Sequence, residues 1–496
     1  MDFSLLPGEQ WYGGAVTEGI RQPYTVESDR CLDLTTNRTP NPMMPLLLST
    51  KGRWLWNPEG MKVRFSKGRI SCTPDSCLVR AGETLREAYL DAMARAFPFS
   101  GKSPAPEFLE APVYNTWIEL TFYQNQAAVL RYAQDILDNG FPPGILMIDD
   151  GWSDYYGRWR FSSEDFPEPA AMLRRLQDMG FSVMLWVCPF ITPDTCEFRE
   201  LAQKGLLVET PTGEPHIAHW WNGYSALLDM TNPQAAAWLK GRLDRLMEMG
   251  VKGFKFDAGD SIYYPSQGPH TPEEHSRAWA SFGAQYPYNE FRVTYGSGGW
   301  PLVQRLCDKD HSWGEKGLAA LIPDAIVESL TGHPFLCPDM IGGGEYRNFY
   351  AQGKLDGEIF VRWAQIACLM PVMQFSAAPW RVLTREQLTQ VRAAVALRTA
   401  CLPELRSAWD HCLKTGEPIL RPLSYSYPGS PHCADQFTLG KKLLVAPQGR
   451  TVYLPEGTWL LGETPIHSPG DYCTVPKNQA PVPLVFRLAP TQGFPG

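Results

Sequence analysis

Gly253-Phe254-Lys255-Phe256-Asp257-Ala258-Gly259-Asp260 is the deciding stretch of the chain, on which its fold assignment turns. Apolar residues that run into a carboxylate and are bounded by glycines read as a buried strand whose C-terminal tip presents Asp257. In a (β/α)₈ barrel the loops at that end ring a pocket, whereas the opposite face only holds the fold together. Strand alternation puts Lys255 on the same side as Asp257, where a cation would keep the carboxylate ionised and nucleophilic. The same eight residues also fit an Asp that caps the next helix or pairs with a neighbouring cation.

Outward from this stretch, strand and helix patterns alternate. Residues 113–120, 145–149 and 182–187 read as strands, with helices over 124–139, 168–179 and 233–249; Asn232 and Pro233 offer the last helix an N-cap and a first-position proline. Candidate strands five to eight are 292–295, 306–310, 335–339 and 372–375, with helices near 316–330, 358–369 and 385–400. The repetition predicts an α/β fold, a TIM barrel over 111–402. An open doubly wound sheet is the competitor, but no GxGxxG follows a strand. Residues 1–110 show short extended runs and one helical pattern over 83–96, which predicts an N-terminal β-sandwich with a proline-rich linker at 97–112. After Cys401 the helical pattern stops, and runs at 442–447, 451–454 and 481–487 predict a small all-β domain over 403–496.

The 496 residues, 44% of them hydrophobic, suffice for a large core and two or three domains. A net charge of -8 without a dense Lys/Arg stripe argues against nucleic acid as a partner. No apolar run reaches the length of a membrane span and no leader pattern opens the chain, so a cytoplasmic protein without a membrane partner is expected. The twelve cysteines are scattered, with neither a CxxC pair nor zinc spacing, and read as reduced core residues. His216 and His219 form a lone HxxH, which is more often structural than metal-binding, and the sequon at Asn37-Arg38-Thr39 matters only after export. Seventeen tryptophans, several beside carboxylates, suit a pyranose with its C–H faces and hydroxyl rim; a large core would use them as well.

If the barrel forms, Asp149 and Asp150 after strand two, Asp257 after four, Asp308 and Asp310 near six and Asp339 after seven converge on one pocket. Crowded carboxylates with few cations push their pKa values apart, which yields one proton donor and one ionised base or nucleophile. That is the equipment of glycoside hydrolysis. The same acids could hold Mg²⁺, but nothing suggests the companions or phosphates such a site needs, so no metal is expected. GxSxG, P-loop and HExxH motifs are missing.

Segments along nearly the whole chain resemble glycoside hydrolase family 31: Trp11-Tyr12-Gly13-Gly14, Ile148-Asp149-Asp150, Leu185-Trp186-Val187, Trp220-Trp221-Asn222-Gly223, Phe254 to Gly259, Pro338-Asp339-Met340 and Leu443 to Pro447. Within the family the resemblance is strongest to the branch of the myogenesis-regulating glycosidase, through Met373-Gln374-Phe375-Ser376 and Pro379-Trp380-Arg381. It implies a retaining, exo-acting α-glycosidase without cofactor, taking a small oligosaccharide or glycoside, with room for a homo-oligomer. Asp257 matches the nucleophile and Asp308 the acid/base; Asp310 is the second candidate, because this sequence departs there from the family's Trp-x-Gly-Asp. The resemblance further places Asp149, Asp150 and Asp339 on sugar hydroxyls and Lys255 and Arg292 in the sugar subsite, Arg292 reaching the acid/base. Trp186, Trp221 and Trp313 become apolar walls. Retention asks for the two carboxyl groups to lie about 5 to 5.5 Å apart, too close for an intervening water. The branch implies an α-galactosidase; an α-glucosidase and a catalytically weak sugar-binding protein are the alternatives.

Overall fold

In a computed structural model that describes residues 1–350, 355–477 and 479–489, the Gly253 stretch is the fourth strand of an eight-stranded parallel sheet rolled into a nearly closed barrel. The strands are Val113–Asn115, Ile145–Ile148, Ser182–Val187, Gly253–Phe256, Tyr288–Phe291, Gln304–Arg305, Leu336–Cys337 and Gln374–Phe375. Strands one and eight pair directly, and seven approaches eight through a parallel bridge between Met340 and Gln374.

Strands five and six begin earlier than the sequence pattern predicts. They are Tyr288–Phe291 and Gln304–Arg305, and 292–295 and 306–310 are loops that leave their tips. The physical reason is that Asn289, Glu290, Gln304 and Arg305 are buried polar residues that find hydrogen-bond partners on both faces of the sheet, so neither strand looks apolar. Arg292, the first residue of the expected fifth strand, and Asp308, inside the expected sixth, thereby fall in the loops just past the strand tips. Strand one is also shorter than expected: the Asn115 side chain accepts from the Trp117 N–H at 2.8 Å and turns the chain into a short helix, Trp117–Leu120.

The glycines of the deciding stretch answer to close approach. A Cβ on Gly253 would run into the backbone carbonyl and Cβ of Tyr288 on strand five, and one on Gly259 would strike the Trp279 ring. Toward the N-terminal ends of the strands the barrel is filled by Val113, Ile145, Met184, Val303, Cys337 and Val372. Helix Pro233–Met249, which feeds strand four, starts as its sequence predicts: the Asn232 side chain accepts from the Gln234 N–H at 2.9 Å and proline opens the first turn.

Two four-stranded antiparallel sheets precede the barrel, packed on Trp11, Tyr24, Leu47, Leu55, Phe65 and Ile70. Helix Leu85–Ala96 follows with a capping box from Thr84 and Glu87. The loop 37–41 of this region reaches the barrel top. Asn37 donates to the Thr294 carbonyl at 3.1 Å, and the Cys307 N–H donates to Asn41 at 2.5 Å. Asn37 is therefore a buried structural residue despite its sequon.

The expectation that helices end at Cys401 is overturned by helix Leu402–Thr415. Pro403 lies in its first turn, where the missing N–H costs nothing. A six-stranded antiparallel sheet and a two-stranded ribbon complete the described chain; residues 490–496 of the expected C-terminal domain lie outside it. No helix among the described residues is long and apolar enough to cross a membrane.

Gly253→Ala should lower the thermal unfolding midpoint of the barrel, by overpacking worth about 1 to 3 kcal/mol. Gly241→Ala, in helix Pro233–Met249 with open space around its Cβ position, should be neutral or stabilising by up to about 1 kcal/mol. Equal midpoints for the two variants in differential scanning calorimetry would refute the close-approach argument.

Candidate active site

A cavity of about 600 Å³ opens at the C-terminal ends of the strands, and Asp149, Asp150, Trp186, Trp221, Lys255, Asp257, Arg292 and Asp308 all line it. Asp310, Trp313 and Asp339 do not.

Asp257 is buried at the tip of strand four. Its Oδ1 accepts from the Ala258 N–H at 2.8 Å and from Arg292 Nε at 3.2 Å, and its Oδ2 accepts from Trp186 Nε1 at 3.0 Å. Burial disfavours the anion, but the charges of Arg292 and Lys255 and the Trp186 bond outweigh it and hold the carboxyl well below its ordinary range. Ala258 adopts a left-handed φ of 58°, uncommon for a residue with a Cβ, which turns its N–H back onto the carboxylate it follows. Trp186, expected as an apolar wall, is thus also a hydrogen-bond donor.

Arg292 does not reach the acid/base candidate by any hydrogen bond. It is clamped by Asp260, Nη2 to Oδ2 at 2.8 Å and Nη1 to Oδ1 at 3.2 Å, and donates to the Pro40 carbonyl at 2.9 Å. Its guanidinium carbon lies 5.6 Å from the Trp221 ring centroid. Lys255 bonds Asp149 Oδ2 at 2.8 Å, and Asn115 donates to the same oxygen at 2.8 Å. Asp150 accepts from Asn222 at 2.8 Å and from the Tyr156 hydroxyl at 3.1 Å. Burial, and then the charge of Asp149, raise Asp150 to about 7 against those two bonds.

Arg305, and not Arg292 as the resemblance implies, contacts the acid/base candidate Asp308. Fully buried at the end of strand six, it donates to Glu290 at 3.2 Å, to Asp308 at 2.9 Å and to Asp339 at 2.7 Å. Asp308 is half-exposed on the cavity side of that guanidinium. Asp339 lies beneath, with a left-handed φ of 70°, and also accepts from the Lys309 and Gly344 N–H groups at 2.9 and 3.0 Å. It holds Arg305 and does not itself line the cavity. Asp310 sits in the turn that follows, its N–H on the Lys316 carbonyl. Trp313 is half-exposed and donates to Asp356 at 2.9 Å, away from the cavity.

The sequence reading missed Asp260, although it lies in the deciding stretch three residues after Asp257. It missed Arg305 because a strand of Gln304–Arg305 carries no apolar signal. Asn222 was quoted without a role. Arg38, Thr39 and Pro40 enter from the N-terminal region, and Trp117, Phe122, Tyr263, Tyr346 and Arg347 surround the mouth; loops separated this far in sequence leave no local signature. Among the described residues there is no His/Cys/Asp/Glu group able to hold a metal ion.

The description "Glycosyl hydrolases family 31 TIM-barrel domain" matches residues 111–408, and the C-terminal domain of that family matches 416–487. The chain is 36% identical over 429 residues to the myogenesis-regulating glycosidase of Mus musculus, covering 80% of this chain and 60% of that protein. It is 26% identical over 363 residues to the sulfoquinovosidase of Escherichia coli, covering 66% of this chain and 53% of the relative. The chain thus spans less than two thirds of either relative. A glucose complex of a Flavobacterium johnsoniae dextranase superposes with a TM-score of 0.82 at 20% identity, over 98% of this chain and 66% of that one. A xylosidase from Aspergillus niger gives 0.80 at 20% identity, over 99% and 80%. At such identities these two structures attest the fold alone.

Because folded Asp150 keeps its proton to about pH 7 while an unfolded chain releases it near 3.8, its contribution to stability is full below that lower value and is lost as the pH rises toward 7. Asp150→Asn should therefore raise the melting temperature at pH 8 and give no gain at pH 3.5. A carboxyl ¹³C titration should place Asp150 near neutrality, and Tyr156→Phe, which removes a donor to the anion, should move that midpoint upward. A midpoint near 4 would contradict the burial argument.

Proposed function

The chain belongs to glycosyl hydrolase family 31, and on that premise we propose that it is a retaining, exo-acting α-glycosidase that releases a terminal α-linked galactose through a covalent glycosyl-aspartate on Asp257. The observation that carries this reading is one cavity that holds an ionised, hydrogen-bonded Asp257 together with an accessible Asp308. Asp257 Oδ2 has one donor where Oδ1 has two, and is the freer oxygen to attack the anomeric carbon. As it bonds, Asp308 gives its proton to the glycosidic oxygen and the leaving group departs. In the second step Asp308 takes a proton from water, whose oxygen attacks the anomeric carbon and frees Asp257.

Each cation beside the nucleophile already has a second carboxylate: Asp260 on Arg292 and Asp149 on Lys255. When Asp257 becomes an ester and loses its charge, neither cation is left buried and unpaired. Asp149, Asp150 and Asn222 offer hydroxyl partners on one wall, and Trp221 an apolar face. The galactoside preference rests on the likeness to the myogenesis-regulating glycosidase and its branch, and α-glucoside is the alternative. Twelve unpaired cysteines support a reducing, cytoplasmic setting.

The protein should hydrolyse p-nitrophenyl α-galactoside and release the α-anomer first, as ¹H NMR would record. Faster turnover of the α-glucoside would reassign the sugar, and inactivity on both would reject the reading. Asp257→Asn should cost about 10⁴-fold or more in kcat/KM, and a fluorosugar should label Asp257 in the wild type. Asp308→Ala should hurt substrates with poor leaving groups more than the nitrophenyl glycoside; equal losses would remove Asp308 from the acid role.

A further inference from the structure

A second cavity of about 350 Å³ lies behind the loop that follows strand two, between that loop and helix Pro233–Met249. Four arginines line it, Arg158, Arg160, Arg242 and Arg245, against one carboxylate, Glu197. Arg158 is neutralised by Asp154 at 3.4 Å and Glu197 at 3.7 Å. The other three are not. Arg160 makes no hydrogen bond or ion pair among the described residues, and Arg245 donates only to the Gly241 carbonyl of its own helix at 3.0 Å. Arg242 stacks over Trp238 at 4.1 Å and donates to the Arg158 carbonyl at 3.3 Å, but its Nε is buried without a partner. Burial and the like charges of Arg245 and Arg160 push the Arg242 guanidinium below its ordinary value, while Glu197 and Glu200 only partly offset them.

Buried polar atoms nearly always find partners. Here three belong to residues of one cavity and have none: Arg242 Nε, Trp159 Nε1 and Glu197 Oε2. Trp159 is 4% exposed. Its backbone sits at φ 45°, a left-handed conformation rare for a bulky side chain. Beside the guanidinium groups, Phe161, Leu246 and Met249 add an apolar floor. Unspent guanidinium forks match the oxygens of a tetrahedral dianion, and the floor and the lone Glu197 acceptor match an organic body that carries hydroxyls.

We propose that this cavity is a binding site for a small organic phosphate of sugar-phosphate size, separate from the catalytic cavity. The phosphate lies on Arg160, Arg242 and Arg245, and the organic part lies against Trp159 and Phe161.

Isothermal titration of the full chain with glucose 6-phosphate, and in parallel with inorganic phosphate, tests the site. The expected result is one site with a Kd of about 1 mM or tighter for the sugar phosphate, weaker binding of inorganic phosphate, and weakening of both at high salt. Arg160→Ser/Arg245→Ser, which removes two exposed guanidinium forks, should raise the Kd at least about tenfold, and Asp257→Asn should leave it unchanged. The proposal is overturned by absence of binding, by equal affinity for the two ligands, by an unaltered isotherm in the arginine variant, or by loss of binding in Asp257→Asn. The last result would put the anion in the catalytic cavity.

Discussion

The upper half of this barrel is held by buried ion pairs where many barrels would place apolar layers. Lys255 bonds Asp149, Arg292 bridges Asp257 and Asp260, and Arg305 joins Glu290, Asp308 and Asp339. Taking such charges out of water is expensive, and removing one partner of a buried pair typically costs about 3 to 5 kcal/mol. Arg292 and Arg305 each touch several oxygens, and the Asp149 oxygen that holds Lys255 is held in turn by Asn115. The apolar layer nearer the strand starts, with Val113, Ile145 and Val303, supplies the burial that the charged layer does not.

That network decides what the cavity can do. Asp257 is ionised because Arg292 and Lys255 face it, and those cations stay put because Asp260 and Asp149 hold them independently. Asp150, which Asn222, Tyr156 and the Gly151 backbone supply with neutral donors, is driven the other way by burial. Two carboxylates in one cavity thus acquire opposite tendencies from their neighbours alone. The backbone contributes too. Left-handed conformations at Ala258 and Asp339, each of a kind that costs about 1 to 3 kcal/mol, aim N–H groups and carboxylates where regular strand ends would not.

The N-terminal region is part of the same construction. Its loop 37–41 supplies the Pro40 carbonyl to Arg292 and the Asn41 side chain to the Cys307 N–H, next to Asp308. Asn37 ties that loop to the chain beyond strand five. A barrel without these residues would lack one wall of its cavity and a fixed position for Arg292.

The barrel, the antiparallel sheets around it and the convergence of Asp149, Asp150, Asp257 and Asp308 are legible in the order of residues alone. Strand four and helix Pro233–Met249 carry local apolar period and capping that need no partner to be read. Which side chains pair was set by folding. Strands five and six are polar because Glu290 and Arg305 satisfy each other between these neighbouring strands, so periodicity misplaced them. Asp260 and Arg305 acquire their roles, and Trp313 and Asp310 fall outside the cavity, through contacts or separations set by loop geometry. A hydrophobic pattern records which side of an element faces inward; the partner of a buried charge is fixed by distances in three dimensions, and those arise only when the chain has folded.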